Sequence, residues 1–127
     1  MSDKRCVCVI DNEVNFLDGL SRLLEWKGYR VAAYTRAEDA IDHIQRENMD
    51  VVVSDVTMPG ISGLDLVMKM RERGCFTPVV LMSARPDRKI MAKAKQCGVH
   101  DFVVKPFKPN EMFDVLDRVM ERTVMMQ

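Results

Sequence analysis

The sequence predicts an α/β fold, with a five-stranded parallel sheet covered by helices on both faces. Two observations support this fold class. Five short apolar runs alternate with longer segments in which apolar residues recur at helical spacing. The links between them are short, as expected for repeated strand–helix units. With 127 residues, of which 47% are hydrophobic and 30% charged, the chain has the size and composition of one globular domain spanning residues 1–127.

The five apolar runs are the predicted strands. Three of them contain two or three consecutive valines, which is typical of strands that are buried on both faces. The predicted strands cover residues 5–10, 31–34, 51–54, 79–82 and 102–104. Runs of this kind fit a parallel sheet, because its helices cover both faces and leave no solvent-facing side.

The segments after these runs are the predicted helices. The second is predicted to begin with a capping box formed by Thr35 and Glu38, and the fourth to hold Pro86 in its first turn. The fifth is predicted to open at Pro109. Glycines are predicted to end the first, third and fourth helices at Gly28, Gly74 and Gly98.

Each predicted helix has one apolar face that is expected to pack on the sheet. The residues of these faces are Phe16, Leu17, Leu20, Leu23 and Leu24 in the first helix, Ala37, Ala40, Ile41 and Ile44 in the second, Leu64, Val67 and Met68 in the third, Ile90, Ala94 and Cys97 in the fourth, and Met112, Phe113, Leu116, Val119 and Met120 in the fifth.

Charge and hydropathy limit the classes of partner. Nineteen basic and nineteen acidic residues cancel, so no net field attracts nucleic acid or a membrane surface, and we expect neither partner. The apolar runs are too short to span a bilayer and the first residues do not resemble a signal peptide, so a cytoplasmic protein is expected. The four cysteines have no zinc-site spacing and are expected to be reduced, buried thiols.

Polar side chains follow four of the five predicted strands. Asp55 follows the third strand, Asp11-Asn12-Glu13 the first, Ser83 the fourth and Lys105 the fifth. In open parallel sheets, binding sites lie beyond the carboxyl ends of the strands, where such residues meet. A carboxylate at the end of a buried strand therefore indicates a functional site around Asp55.

These groups suit the transfer of a phosphoryl group to a carboxylate. A carboxylate that attacks an anionic phosphoryl group needs nearby positive charge, which Mg²⁺ bound to oxygen ligands supplies. Asp11 and Asp55, with the backbone carbonyl of Thr57, are the candidate metal ligands. Lys105 and the Ser83 hydroxyl are candidates for binding phosphoryl oxygens.

The motifs VIDNE, VVVSDVTMPGISGLDL, VVLMSA and DFVVKPF occur in this order along the chain. Together they make the sequence resemble the receiver domains of bacterial two-component response regulators, from about Cys6 to Met120. The resemblance implies a doubly wound, flavodoxin-like (βα)5 fold. It also implies that Asp55 is the phosphoacceptor, fed by a sensor histidine kinase or a small phosphodonor, and that Mg²⁺ is the cofactor with Thr57 as a backbone ligand.

The same resemblance assigns roles to residues around Asp55. Ser83 and Lys105 match the pair that senses the phosphoryl group. Phe102 matches the aromatic residue that changes rotamer on activation, so Ser83 and Phe102 are the predicted switch. Pro106 matches a proline that usually follows the lysine in cis linkage.

Further expectations concern lifetime, activity and output. Thr57 and Arg85 match positions that border the path of the attacking water and tune the lifetime of the phosphorylated form. The resemblance implies a phosphoacceptor switch and not an enzyme, apart from its own phosphotransfer and dephosphorylation.

An output domain or partner is expected to dock on the face of the fourth and fifth helices, and a homodimer could form on activation. No output domain is expected within these residues.

One position departs from the family pattern. The second of two adjacent acids after the first strand is here Asn12, which offers a carbonyl oxygen to Mg²⁺ but no charge. Glu13 is a possible substitute. The alternative is a pseudo-receiver that docks without phosphorylation. A hydrolase of the haloacid dehalogenase type is disfavoured by Thr57, where a second acid is needed, and a nucleotide-binding fold by the lack of a glycine-rich first turn.

Overall fold

The computed structural model describes residues 4–125 and contains a five-stranded parallel sheet with five helices. The strands are β1 (Cys6–Ile10), β2 (Arg30–Tyr34), β3 (Val51–Asp55), β4 (Val79–Ser83) and β5 (Asp101–Val104). The helices are α1 (Val14–Lys27), α2 (Ala37–Arg46), α3 (Gly63–Glu72), α4 (Arg88–Gln96) and α5 (Pro109–Met125). The predicted (βα)5 fold is confirmed, with strand ends shifted by no more than one residue.

The strand order in the sheet is β2-β1-β3-β4-β5, and all neighbouring pairs are parallel. The order reverses between β1 and β3, which is the switch point where such sheets bind ligands. The register pairs Ile10 with Ser54, and Asp55 with Met82. The carboxyl ends of the central strands are therefore level at one edge of the sheet.

The sheet separates two apolar cores. In β1, Val7 and Val9 point into the core shared with α1 and α5, whereas Cys8 and Ile10 point into the core shared with α2, α3 and α4. This alternation follows from the two-residue period of a strand. It explains the valine-rich runs, since both faces of the central strands are buried.

Helix starts differ from the sequence prediction in two cases. Helix α2 is preceded by Arg36 at its N-cap, so the predicted Thr35–Glu38 capping box is wrong. Helix α4 begins after Asp87, whose carboxylate accepts hydrogen bonds from the N–H groups of Lys89 and Ile90. Pro86 therefore lies before the helix, because Asp87 is the cap and Arg88 the first helical residue, two positions after Pro86.

The predicted apolar face of α3 is correct only in part. Val67 is buried and Leu64 packs on the core, whereas Met68 is 36% exposed, and the buried residues Leu66 and Met70 were not predicted. Helix α3 starts with a capping box in which Ser62 and Asp65 bond to each other's backbone N–H groups. Because this cap fixes the helix at Gly63, the face that meets the sheet carries Leu66 and Met70.

The cysteines are less buried than the sequence predicted. All four cysteines are free thiols, but only Cys8 is fully buried, and the other three are partly exposed. Across the described residues, none of the helices has the length and apolar character needed to cross a lipid bilayer.

Candidate functional site

Three side chains from the ends of three strands meet at one edge of the sheet. The Lys105 ammonium nitrogen lies 2.5 Å from Oδ2 of Asp11 and 3.2 Å from Oδ2 of Asp55. The Asp11 side chain is completely buried, and those of Asp55 and Lys105 are 15% and 14% exposed. The structure therefore brings together the two acids and the base that the sequence singled out.

The second oxygen of each acid is held by the local backbone. Asp11 Oδ1 accepts a hydrogen bond from the N–H of Glu13 at 2.9 Å, and Asp55 Oδ1 accepts one from the N–H of Thr57 at 3.3 Å. These bonds fix both carboxylates in orientation, so that the Oδ2 atoms converge on Lys105.

The position of Lys105 is set by β5. Its backbone N–H donates to the carbonyl of Ser83 at 2.9 Å, which extends the pairing of β4 and β5 by one residue. The bond between Lys105 and Pro106 is cis, as predicted. The side chain runs back over the sheet edge and reaches the acids that follow β1 and end β3.

The loop after Asp55 passes very close to the strand. Gly63 donates its N–H to the carbonyl of Val56 at 2.9 Å, and a Cβ atom on Gly63 would lie less than 3.0 Å from the carbonyl oxygen of Asp55. Only glycine allows this approach. Gly60 in the same loop has a φ of 78°, in the left-handed region. The loop is therefore held against β3 while Asp55 stays accessible.

Ser83 and Arg85 lie at the neighbouring strand end. Ser83 is the last residue of β4, and its hydroxyl accepts a hydrogen bond from the backbone N–H of Arg85 at 3.2 Å. The Arg85 side chain is exposed. The structure thus places both residues at the predicted edge, but the Ser83 hydroxyl is bonded locally and not to the acids.

The remaining predicted residues lie in the adjoining loops and in β5. Asn12 and Thr57 are exposed beside Asp11 and Asp55, and Glu13 is exposed at the N-cap of α1. Phe102 is half-buried in β5 and packs on the core beneath α4.

The donor set fits a hard cation. In the part of the chain that the structure describes, no group of three or more histidine, cysteine or acidic side chains is arranged to hold a metal. Asp11 and Asp55 supply two carboxylates, however, and the exposed residues Asn12 and Thr57 follow them in the chain by one and two positions. Oxygen donors of this kind suit Mg²⁺, which binds few protein ligands and retains water.

Two residues that contribute to this edge were not assigned to it from the sequence. The Phe16 ring lies under the Lys105 ammonium, with 4.1 Å from Nζ to the ring centroid. Glu38 Oε2 lies 3.3 Å from where a Cβ of Gly60 would be, and accepts a hydrogen bond from Arg36 at 2.7 Å. The bond from Arg36 lowers the pKa of Glu38. In the sequence, Phe16 has the spacing of a core residue and Glu38 the spacing of a capping residue. Neither pattern indicated a role at this edge of the sheet.

A model of a known protein family matches most of the chain. The family model described as response regulator receiver domain matches residues 7–117. The chain belongs to the response regulator receiver domain family. Every residue of the site, including Asp11, Asp55, Ser83 and Lys105, lies inside the matched range.

The receiver domain is similar to parts of longer regulators. It is 32% identical over 115 residues to the uncharacterized transcriptional regulatory protein YbdJ of Bacillus subtilis, covering 91% of this chain and 50% of that protein. It is 28% identical to the transcriptional regulatory protein FixJ of Bradyrhizobium diazoefficiens, covering 96% of this chain and 60% of FixJ. The chain therefore spans about half the length of these curated relatives.

Solved structures agree with this assignment. The Vibrio cholerae chemotaxis protein CheY4, crystallized at low pH, is 27% identical, with a TM-score of 0.87 over 91% of this chain and 98% of that one. A receiver domain protein from Clostridium thermocellum shares the fold, with a TM-score of 0.89 at 21% identity over 97% of this chain and 99% of that one. The receiver domain fold is thus established over nearly the whole chain.

Proposed function

We propose that this receiver domain accepts a phosphoryl group on Asp55, in a Mg²⁺-dependent reaction with a sensor histidine kinase or a small phosphodonor in the cytoplasm. The observation that carries the proposal is the position of Lys105, whose ammonium contacts both Asp11 and Asp55. An anionic phosphoryl group that approaches one of these acids is repelled by its negative charge. The positive charge of Lys105, at a partly open edge of the sheet, offsets this repulsion.

The reacting atom is a carboxylate oxygen of Asp55. It attacks phosphorus while the bond to the donor's leaving group breaks, which gives an acyl phosphate. When bound, Mg²⁺ would supply positive charge to the crowded oxygens, held by Asp11, Asp55 and the Thr57 carbonyl, with Asn12 adjacent. Lys105 moves from Asp55 to a phosphoryl oxygen and so offsets the added charge. The reactions that the protein catalyses are limited to its own phosphorylation and dephosphorylation.

Ser83 and Phe102 form the proposed switch. The Ser83 oxygen accepts a hydrogen bond from the backbone N–H of Arg85, and the Ser83 O–H can donate to a phosphoryl oxygen. Movement of Ser83 and the following segment makes room beside α4, into which Phe102 rotates. The active form is already present at low population, and phosphorylation shifts the balance toward it.

The signal leaves through the face formed by α4, β5 and α5. Exposed basic residues lie along α4, and exposed acidic residues lie along α5. They are Arg88, Lys89, Lys93 and Lys95 on α4, and Glu111, Asp114 and Asp117 on α5. We assign this face to an output domain or partner protein, and the opposite charges also allow two activated copies to pair through it. No role is proposed for nucleic acid or a membrane.

The proposal is tested by incubating the protein with acetyl phosphate and Mg²⁺ and measuring its mass. We expect wild type to gain one phosphoryl group, Asp55→Asn to gain none, and Asp42→Asn, which changes an exposed acid on α2, to behave as wild type. A wild type that gains no phosphoryl group from acetyl phosphate or from a kinase would instead support a pseudo-receiver. Full labelling of Asp55→Asn would show that another residue is the acceptor.

A further inference from the structure

We propose that Phe16 is a positioning residue for Lys105, and that the face of its ring holds the lysine ammonium in place during phosphoryl transfer. The inference rests on the proposed phosphorylation of Asp55 and adds a residue to the site that the strand-end residues alone do not include. It depends on three contacts around one nitrogen atom.

The Lys105 ammonium contacts two carboxylates and one aromatic ring. Its nitrogen lies 2.5 Å from Asp11 and 3.2 Å from Asp55. The centroid of the Phe16 ring is 4.1 Å from the same nitrogen. An ammonium group has three N–H donors and is attracted to the electron-rich face of an aromatic ring. Of these three contacts, the two carboxylates are charged and the ring is neutral.

The ring is itself fixed by its neighbours. Phe16 is the third residue of α1, and it packs against Phe107 edge to face, with 5.9 Å between ring centroids and 86° between ring planes. Phe107 follows Lys105 by two residues. The aromatic pair therefore ties the first turn of α1 to the segment that carries the lysine, so the platform and the cation keep their relative position.

The ring becomes more important when the acids change partners. Phosphoryl transfer requires Asp55 to give up its bond to Lys105, and a cation bound by Asp11 and Asp55 would compete with Lys105 for the same oxygens. A lysine side chain has four flexible bonds and is costly to confine. Because the Phe16 ring is neutral, its attraction for the ammonium persists through these changes, and Lys105 stays within reach of the phosphoryl group.

A second lysine–phenylalanine pair offers a matched control. Lys27 Nζ, at the end of α1, lies 5.0 Å from the centroid of the Phe113 ring in α5. Phe113 belongs to the same apolar core that Phe16 packs against. Phe113→Leu thus removes the same kind of contact and a comparable ring volume without changing the surroundings of Lys105.

The first experiment measures the contact without phosphorylation. Protons next to a ring face are shifted upfield in NMR spectra, so the ε protons of Lys105 should be upfield in wild type and in Phe16→Tyr, and normal in Phe16→Leu. The added hydroxyl of tyrosine can be accommodated, since Phe16 lines an open apolar groove of about 320 Å³ with Gly19 and Leu23. Normal Lys105 shifts in folded wild type would overturn the inference.

The second experiment measures the rate of phosphorylation by acetyl phosphate with saturating Mg²⁺. We expect Phe16→Leu to react about fivefold more slowly, which corresponds to the loss of one cation–π contact. Phe16→Tyr and Phe113→Leu should react at the wild-type rate, with the fold of each variant checked by circular dichroism. Equal rates for wild type and Phe16→Leu, or an equal loss in Phe16→Tyr, would overturn the positioning role. An upfield Lys105 signal in a wild type that gains no phosphoryl group would overturn the proposed phosphorylation and still support the Lys105–Phe16 contact.

Discussion

A Cβ atom on Gly63 would lie less than 3.0 Å from the backbone carbonyl oxygen of Asp55. Gly63→Ala therefore forces α3 away from β3, and we expect a loss of about 2–3 kcal/mol in the free energy of unfolding, measured with urea. The matched control is Gly19→Ala in the middle of α1, where an added Cβ meets nothing within 4 Å. Alanine there should stabilise the protein by about 0.5–1 kcal/mol through helix propensity. Equal stability of wild type and Gly63→Ala would contradict the close approach.

Asn12→Asp should tighten Mg²⁺ binding about tenfold, as measured by calorimetry. The change adds a negative charge beside Asp11, and the gross Coulomb attraction is largely offset by solvation. Asn15→Asp is the control, because it adds the same charge to an exposed position in the first turn of α1. If Glu13→Gln weakens binding, Glu13 has taken over the role of the missing acid. Unchanged affinity in both Asn12→Asp and Glu13→Gln would show that this position does not contribute.

Arg85→Ala should shorten the lifetime of the phosphorylated form, up to about fivefold, because an exposed ion pair contributes less than about 1 kcal/mol. The exposed Arg85 side chain is two residues beyond Ser83 and can cover or pair with the phosphoryl group. The alanine variant keeps the backbone N–H that bonds to the Ser83 hydroxyl. The loss of phosphorylated mass over time measures the lifetime, with Arg88→Ala as the control. A longer or unchanged lifetime would mean that Arg85 points away from the site.

Arg71→Met should lower the free energy of unfolding by about 2–4 kcal/mol, because the Arg71 guanidinium connects the segment after α3 with the segment after α4. It donates hydrogen bonds of 2.9–3.2 Å to four backbone carbonyls, those of Cys75, Thr77, Cys97 and Gly98. Burial lowers the pKa of Arg71, which agrees with a cation that carbonyl groups solvate in place of water. Arg73→Met removes a guanidinium two residues away that bonds to exposed side chains of α2. A similar change in stability in the two variants would show that these carbonyl bonds contribute little.

The Cys8 thiol should make stability depend on pH above 9. Burial raises the pKa of Cys8 from 9.0 to about 12, so between these values the unfolded chain loses the proton and the native state retains it. Stability is therefore fully present below pH 9 and falls as the pH rises toward 12. Between pH 8 and 10 the unfolding free energy should fall by about 1 kcal/mol more in wild type than in Cys8→Ala. Urea unfolding measures this difference, and equal pH dependence of the two proteins would refute it.

The fold and the main site residues could be predicted because they depend on short-range patterns. Consecutive valines in β3 indicate a strand buried on both sides, and parallel strands bring their carboxyl ends to one edge. Asp11, Asp55 and Lys105 follow or end such strands, so their meeting required no knowledge of side-chain packing. The structure brings these three residues together through the bonds of Lys105 to the two acids.

The remaining details depend on tertiary contacts that the local pattern does not contain. Thr35 and Glu38 have the spacing of a capping box, yet Glu38 bonds to Arg36 and lies against Gly60 of the β3–α3 loop. Phe16 has the spacing of a core residue in α1, but α1 starts at the sheet edge, so the ring reaches Lys105. In both cases a residue from another element decides what the side chain does.

The strand order also bears on when the site is completed during folding. β2, β1 and β3 are adjacent in the sheet and all lie within the first 55 residues, so three strands can pair before the rest of the chain takes part. β4 then adds to β3, and β5 adds to β4. The bond between Lys105 and Asp11 joins residues 94 positions apart, which makes it a late and long loop closure. A chain in which β5 has not yet paired would therefore hold Asp11 and Asp55 without Lys105, and only the complete sheet brings the three side chains together.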